Sequence, residues 1–260
     1  MERNDSDSLS FWDHLDALRS CLVRMLLVAL GAAVVAFVAK QPLFDLVFYP
    51  NRADFPTYRL LSHLVAFEFS PVQLINTEIT RQFTLHLQVA FVVGVCAAMP
   101  YLLWVLYGFI APALYRSERR VVVRSVAWAY CCFCCGLLVS YFIVFPCAFL
   151  FLSAYQVSAE VINTITVASY LSLLSTLCLV MGILFQMPVV SALLAKWGLL
   201  SPELMRRYRR HAIVAVLILA AIITPTADVF TLLMVGLPVY LLYEISILAV
   251  ARVAKSHSGE

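Results

Sequence analysis

The side chains able to do chemistry in this sequence are charges and amides at the edges of apolar runs. Glu118 lies in the stretch FIAPALYRSERR (109–120), among Arg116, Arg119 and Arg120, with Arg124 one helical turn further on. A lone carboxylate among arginines is either a locally paired charge or a binding group for an incoming cation. Near the N-terminus, Asp13, Asp16 and Arg19 alternate with Leu9, Phe11, Trp12, Leu15 and Leu18. Three further polar residues interrupt or flank apolar sequence: Gln186, Asp228 and Glu244. An amide at membrane depth needs a partner, so Gln186 either bonds a backbone carbonyl or meets a polar group on another helix. Asp228 is placed to cap the start of a helix, where a carboxylate satisfies open amides. Glu244 is expected near the inner surface in a structural or partner-facing role.

Metal and redox chemistry find little support. The eight cysteines, at 21, 96, 131, 132, 134, 135, 147 and 178, all fall inside or at the ends of apolar segments. The cluster Cys131–Cys135 has no adjoining His or carboxylate, and thiolates in hydrocarbon are costly, so these residues are expected to pack as small side chains. The five histidines, at 14, 63, 86, 211 and 257, form no HxxxH or CxxCH pattern. No metal, no cofactor and no enzymatic reaction is expected.

The elements that must position these groups follow from composition. Of the 260 residues, 63% are hydrophobic and 13% charged, whereas a soluble domain carries about a quarter charged residues. The apolar material comes in runs of helix-spanning length, which implies a helical bundle in a membrane and not an outer-membrane barrel. The polar, acidic N-terminus lacks a basic region leading into a short apolar core, so no cleavable signal peptide is expected. The reading is an all-α polytopic membrane protein in one membrane domain. Six spans are expected, near 21–39, 85–109, 126–152, 167–195, 211–224 and 230–251. Residues 1–20 are expected to form a cytoplasmic amphipathic helix lying at the interface. Residues 41–83, which mix apolar pieces with Pro50, Pro56 and Pro71, are expected to form an external cap with short helices.

Orientation follows from the arginines. The loop at 113–124 carries four Lys/Arg and the loop at 196–210 carries five, while 153–166 and 225–229 carry none. The positive-inside rule puts both termini and both basic loops in the cytoplasm. The fifth span has 14 residues, His211 to Thr224, about 21 Å of helix against about 30 Å of hydrocarbon. The sixth has 12 between Leu232 and Tyr243 before Glu244. Both are therefore expected to be short. Such spans either thin the bilayer locally or bury their ends against other helices.

Several phrases, in order, resemble the TatC family, the receptor subunit of the twin-arginine protein translocase. They are HLDALR (14–19), FIAPALY (109–115) leading to Glu118-Arg119-Arg120, Phe145-Pro146, ASYL (168–171), FQMP (185–188), Ser201-Pro202-Glu203, Thr224-Pro225 with Asp228, and Leu242-Tyr243-Glu244. The resemblance covers about residues 9–252. It implies a six-helix, cup-shaped protein of the bacterial inner membrane that is not an enzyme. Such a protein binds N-terminal signals with paired arginines on folded precursors. With TatA- and TatB-like single-span subunits it passes them across the bilayer on the protonmotive force. An oligomer is implied, and no nucleic acid.

Glu118 matches the family's loop glutamate, and carboxylates at a cytoplasmic surface suit bidentate guanidinium recognition. Pro112 falls in the same motif and is expected to be structural. Ala17 stands where the family usually has a second glutamate. Asp13, one turn earlier on the same face, is the preferred substitute, and Asp16, rotated by about 100°, is second. Arg19 matches the motif arginine and is expected to orient the carboxylates. The resemblance turns Gln186 toward the cup and a partner helix. A small secondary transporter or channel is the alternative. It would show an internal repeat and charges at mid-depth, and the sequence has no repeat and keeps its charges near span ends.

Overall fold

The first apolar run builds α1 (Phe11–Val38), a helix of 28 residues with no break between its amphipathic start and its apolar remainder. The structure, a computed structural model, describes residues 11–64, 70–114, 119–156, 158, 164–224 and 228–257. α1 packs chiefly against α4 (Arg81–Leu114), which runs antiparallel to it. Where they cross, a Cβ on Gly94 would lie 2.4 Å from the Ala33 amide nitrogen, so the two backbones touch. Only glycine permits that approach, the usual way for helices to pack closely in lipid. The rest of α1 presents apolar side chains outward; Val38, for example, is 78% exposed.

The next span joins α5 (Arg119–Val139) to α6 (Phe145–Ala154) through a single π turn, Ser140–Val144. Pro146 explains part of that geometry. It has no N–H, so the Phe142 carbonyl one turn back loses its ordinary helical donor. The Thr57 hydroxyl donates to that carbonyl instead. A lost helical bond thus becomes the anchor for α3 (Pro56–Leu64).

α7 (Val167–Leu184) starts at Thr166, whose Oγ1 accepts the Ser169 amide at 3.1 Å. It ends at Phe185–Gln186, and α8 (Met187–Lys196) continues with Pro188 in its first turn. Two short helices complete the basic region and its return: α9 (Pro202–Arg207), capped by Ser201, and α10 (Arg209–Ile223). α11 (Val229–His257) closes the chain.

Among the described residues, five helical segments are long and apolar enough to cross a membrane: Leu15–Val38, Arg81–Phe109, Ser125–Ala154, Val167–Lys196 and Val229–Lys255. α10, at 15 residues, is shorter. The expectation of a short final helix is corrected: α11 has 29 residues. A charge after an apolar run reads as an end, but the Glu244 carboxylate is paired with Arg209 and Tyr240 at the bundle surface, and the helix runs through it.

The remaining elements gather at one end of the bundle. α2 (Lys40–Phe48) follows α1 directly, and the strands β1 (Leu74–Ile75) and β2 (Ile165–Thr166) pair in parallel, Leu74 opposite Ile165. Side chains from the spans hold this layer by its backbone. Tyr141 Oη donates to Leu46 O at 2.6 Å and Tyr170 Oη to Val47 O at 3.0 Å. Tyr170 is 1% exposed, and its ring is enclosed by Phe48, Phe145 and Phe149 at 5.1–5.8 Å between centroids. Tyr170→Phe keeps the ring packing but strands the buried Val47 carbonyl. The expected cost is about 1–3 kcal/mol, read as a lower unfolding temperature of the purified protein.

Candidate functional site

The end of the bundle opposite α2 and α3 carries most of the basic residues. Cys21 of α1 lies beside Val105 of α4, so the start of α1 and the end of α4 are neighbours. Ala17, Ser20 and Arg24 of α1 face Trp104, Gly108 and Phe109 of α4 across a groove of about 490 Å³. Asp16 and Arg19 are exposed on the same stretch of α1. Asp13 belongs to the first turn of α1 and shares a helix face with Ala17, but its side chain lies outside the described residues. Pro112 is in the last turn of α4, its side chain likewise outside them. Glu118, with Arg116, falls in 115–118, also outside, between the end of α4 at Leu114 and the start of α5 at Arg119. Lys196, Arg206, Arg207, Arg209 and Arg210 lie at this same end, since α8 faces Tyr107 and Ser125 there.

Gln186 sits at the break between α7 and α8. Its backbone carbonyl accepts the Val189 and Val190 amides at 3.0 and 2.9 Å, and its own amide donates to Ile183 O. The side-chain Nε2 crosses to α5 and donates to Ala129 O at 3.0 Å. Ala129 is fully buried, so this bond ties the break to the core. Among the described residues no donor to Oε1 is seen.

Asp228 Oδ1 accepts the Thr231 amide at 2.7 Å and so caps α11 at its third residue. Glu244 accepts from Arg209 Nη2 at 2.7 Å and from Tyr240 Oη at 3.0 Å. Beside it, Tyr243 Oη donates to Met205 O at 2.7 Å. Together these bonds pin α9 and the start of the short α10 onto α11.

The sequence profile described as "Sec-independent protein translocase protein (TatC)" matches residues 13–238. The chain belongs to the TatC family. It is 34% identical to the TatC protein of Desulforapulum autotrophicum over 97% of this chain and 87% of that one. It is 31% identical to the TatCy protein of Bacillus subtilis over 95% and 91%. A solved structure titled "Crystal Structure of Twin Arginine Translocase Receptor- TatC" is 30% identical and superposes with a TM-score of 0.76, covering 93% of this chain and 99% of that chain. The protein is therefore a membrane subunit of the Sec-independent, twin-arginine translocase, a multi-pass inner-membrane transport protein that works with other Tat subunits.

Within this TatC fold, α1 and α4 meet at the basic end, which brings the first turns of α1 near the end of α4, after which the segment containing Glu118 begins. Gln186, Asp228 and Glu244 stand apart from it on α7–α8 and α11. Arg24, which reads in sequence as an arginine snorkelling from the start of the first span, joins the α1–α4 groove. The signal for that placement was present: an arginine seven residues after Ala17 shares its helix face.

The Arg209–Glu244 pair has its own test. The side chains are 47% and 30% exposed, so water and salt screen the pair. Glu244→Ala is expected to cost about 0.5–1 kcal/mol of coupling in a double-mutant cycle with Arg209→Ala, fading at high salt.

Proposed function

We propose that this TatC protein is the receptor that captures twin-arginine signal peptides of folded precursors at the cytoplasmic face. The observation that supports the reading is the meeting of the start of α1 with the end of α4, where Asp16 and Arg19 are exposed. Glu118 is the principal contact for the signal arginines, because a carboxylate takes two guanidinium N–H groups at once. Asp13 supplies the second carboxylate in place of the glutamate that Ala17 lacks, with Asp16 as the alternate. Arg19 orients them.

Six spans place both termini in the cytoplasm, with α10 as the short fifth span and 41–83 as the external cap. The loops at 113–124 and 196–210 are rich in arginine while 153–166 has none, which supports this orientation. The long 41–83 segment, with Arg52, Arg59 and Arg81, weighs less because of its length. Gln186 Oε1 meets a polar group on a TatA- or TatB-like single-span subunit, while Asp228, Glu244 and Pro112 keep structural roles. The protein is a receptor and not an enzyme. It hands folded cargo to an oligomeric assembly driven by the protonmotive force.

The test is site-specific crosslinking from a photo-reactive residue beside position 118 to a precursor with an intact arginine pair and to its twin-lysine version. Labelling confined to the arginine pair, and lost in Glu118→Ala, supports the receptor reading. Equal labelling of both precursors overturns it.

A further inference from the structure

At the end of the bundle that carries α2 and α3, α2, α4 and α7 border a cavity of about 550 Å³. Its walls are apolar, with Phe44 and Phe48 from α2, Phe83 from α4 and Leu171 from α7. Three polar side chains reach it: Lys40, Gln82 and His86. Gln82 and His86 are four residues apart and share one face of α4.

His86 is the unusual member. Its ring stacks on Phe37 at 4.0 Å and lies against Phe44 at 5.2 Å, and the residue is only 9% exposed. Its Nε2 is fully buried and has no hydrogen-bond partner among the described residues. A buried polar atom of this kind costs about 1–3 kcal/mol unless something pairs with it.

Lys40 adds a charge. It is the first residue of α2, whose N-cap Ala39 makes no side-chain hydrogen bond. Among the described residues Lys40 makes no ion pair, whereas the nearby Arg52 is paired with Asp45 at 3.0 Å. Lys40 also lines a second hollow that continues from Phe44 and Phe48 toward Arg52. On the outer side Phe83 and Ile79 are 66% and 100% exposed, at the edge where acyl chains would lie.

We propose that this cavity binds the phosphodiester of an anionic phospholipid. The phosphate oxygens accept from the Lys40 ammonium and from an N–H on His86 Nε2, and the glycerol and upper acyl carbons lie on the Phe44, Phe48 and Phe83 rings. The Lys40 ammonium, without an ion pair among the described residues, favours a headgroup with net negative charge. A zwitterionic choline headgroup would bring its own cation against Lys40. Which leaflet supplies the lipid rests on the orientation proposed above; the binding does not.

The experiment uses the full chain carrying Phe83→p-benzoylphenylalanine, reconstituted in nanodiscs of equal phosphatidylglycerol and phosphatidylcholine. Irradiation is expected to label phosphatidylglycerol about tenfold over phosphatidylcholine, the size expected for one charge-assisted contact. Lys40→Gln should reduce the preference to near unity. His86→Phe keeps the ring stack while removing the donor, and should reduce it several-fold without lowering the unfolding temperature in phosphatidylcholine alone. Equal labelling of the two lipids by the otherwise unaltered chain overturns the proposal, and so does a preference that survives both substitutions. Displacement of the lipid by millimolar inorganic phosphate overturns it as well, because the cavity would then be a soluble-anion site.

Discussion

Glu118→Gln should weaken capture of a twin-arginine precursor by about tenfold to a hundredfold while leaving the protein folded. The substitution keeps the size of the side chain and removes its charge. A charge-assisted bond is worth about 1.5–3 kcal/mol, and each 1.4 kcal/mol is tenfold in affinity. Screening at an aqueous surface takes the effect toward the lower end. The decisive readout is the interaction with the ligand. A twin-lysine precursor should bind the unaltered protein weakly, and Glu118→Gln should weaken it little further, since lysine cannot use the bidentate geometry. Asp13→Asn should add to the loss, and Ala17→Glu should recover it from a position on the same face of α1. Were Glu118→Gln to leave the arginine-over-lysine preference intact, Glu118 would be paired with its neighbouring arginines and nothing more.

Gly94→Leu should abolish the same binding without touching any binding residue. The added Cβ would stand 2.4 Å from Ala33 N and 2.5 Å from Ala33 Cα, both backbone atoms that cannot rotate away. Overpacking typically costs 1–3 kcal/mol, and a backbone clash at a helix crossing lies at about 3 kcal/mol or above. α1 has little else to hold it, because most of its surface faces outward. It should therefore part from α4 and carry Asp13, Asp16 and Arg19 out of register with the α4–α5 end. Gly31→Leu is the control: it lies on α1 itself, and nothing stands within 4 Å of the position its Cβ would take. Thermal unfolding and precursor crosslinking should both fall for the first variant and hold for the second. Equal behaviour of the two would mean that the crossing does not position α1.

Much of this was legible in the sequence. The membrane class followed from composition, and the family followed from phrases spread from residue 14 to residue 244 that the profile match and the superposition bear out. The length of α11 was not legible, because the partner that neutralises Glu244 is Arg209, 35 positions earlier. A charge inside an apolar run is ambiguous until its tertiary partner is known. Gln186 shows the converse. Both readings of its side chain were open, and the structure gives Nε2 to the core while Oε1 has no donor among the described residues. His86 carried no signal at all, since a single histidine among phenylalanines reads as packing until the atoms around its ring are seen.

The wide turn at Ser140–Val144 also sets an angle. An α-helix advances about 100° per residue, so the extra residue that a π turn accommodates rotates everything after it by about that amount. With this rotation Phe145 and Phe149 point at Tyr170, while Leu138 and Ile143 look outward. A straight helix of the same sequence would swing the two phenylalanines a quarter turn away and leave Tyr170 without its enclosure. α5 and α6 are thus two cylinders clocked against each other. What holds the aromatic ring cluster beneath α2 is the residue count of the span more than the identity of any single side chain.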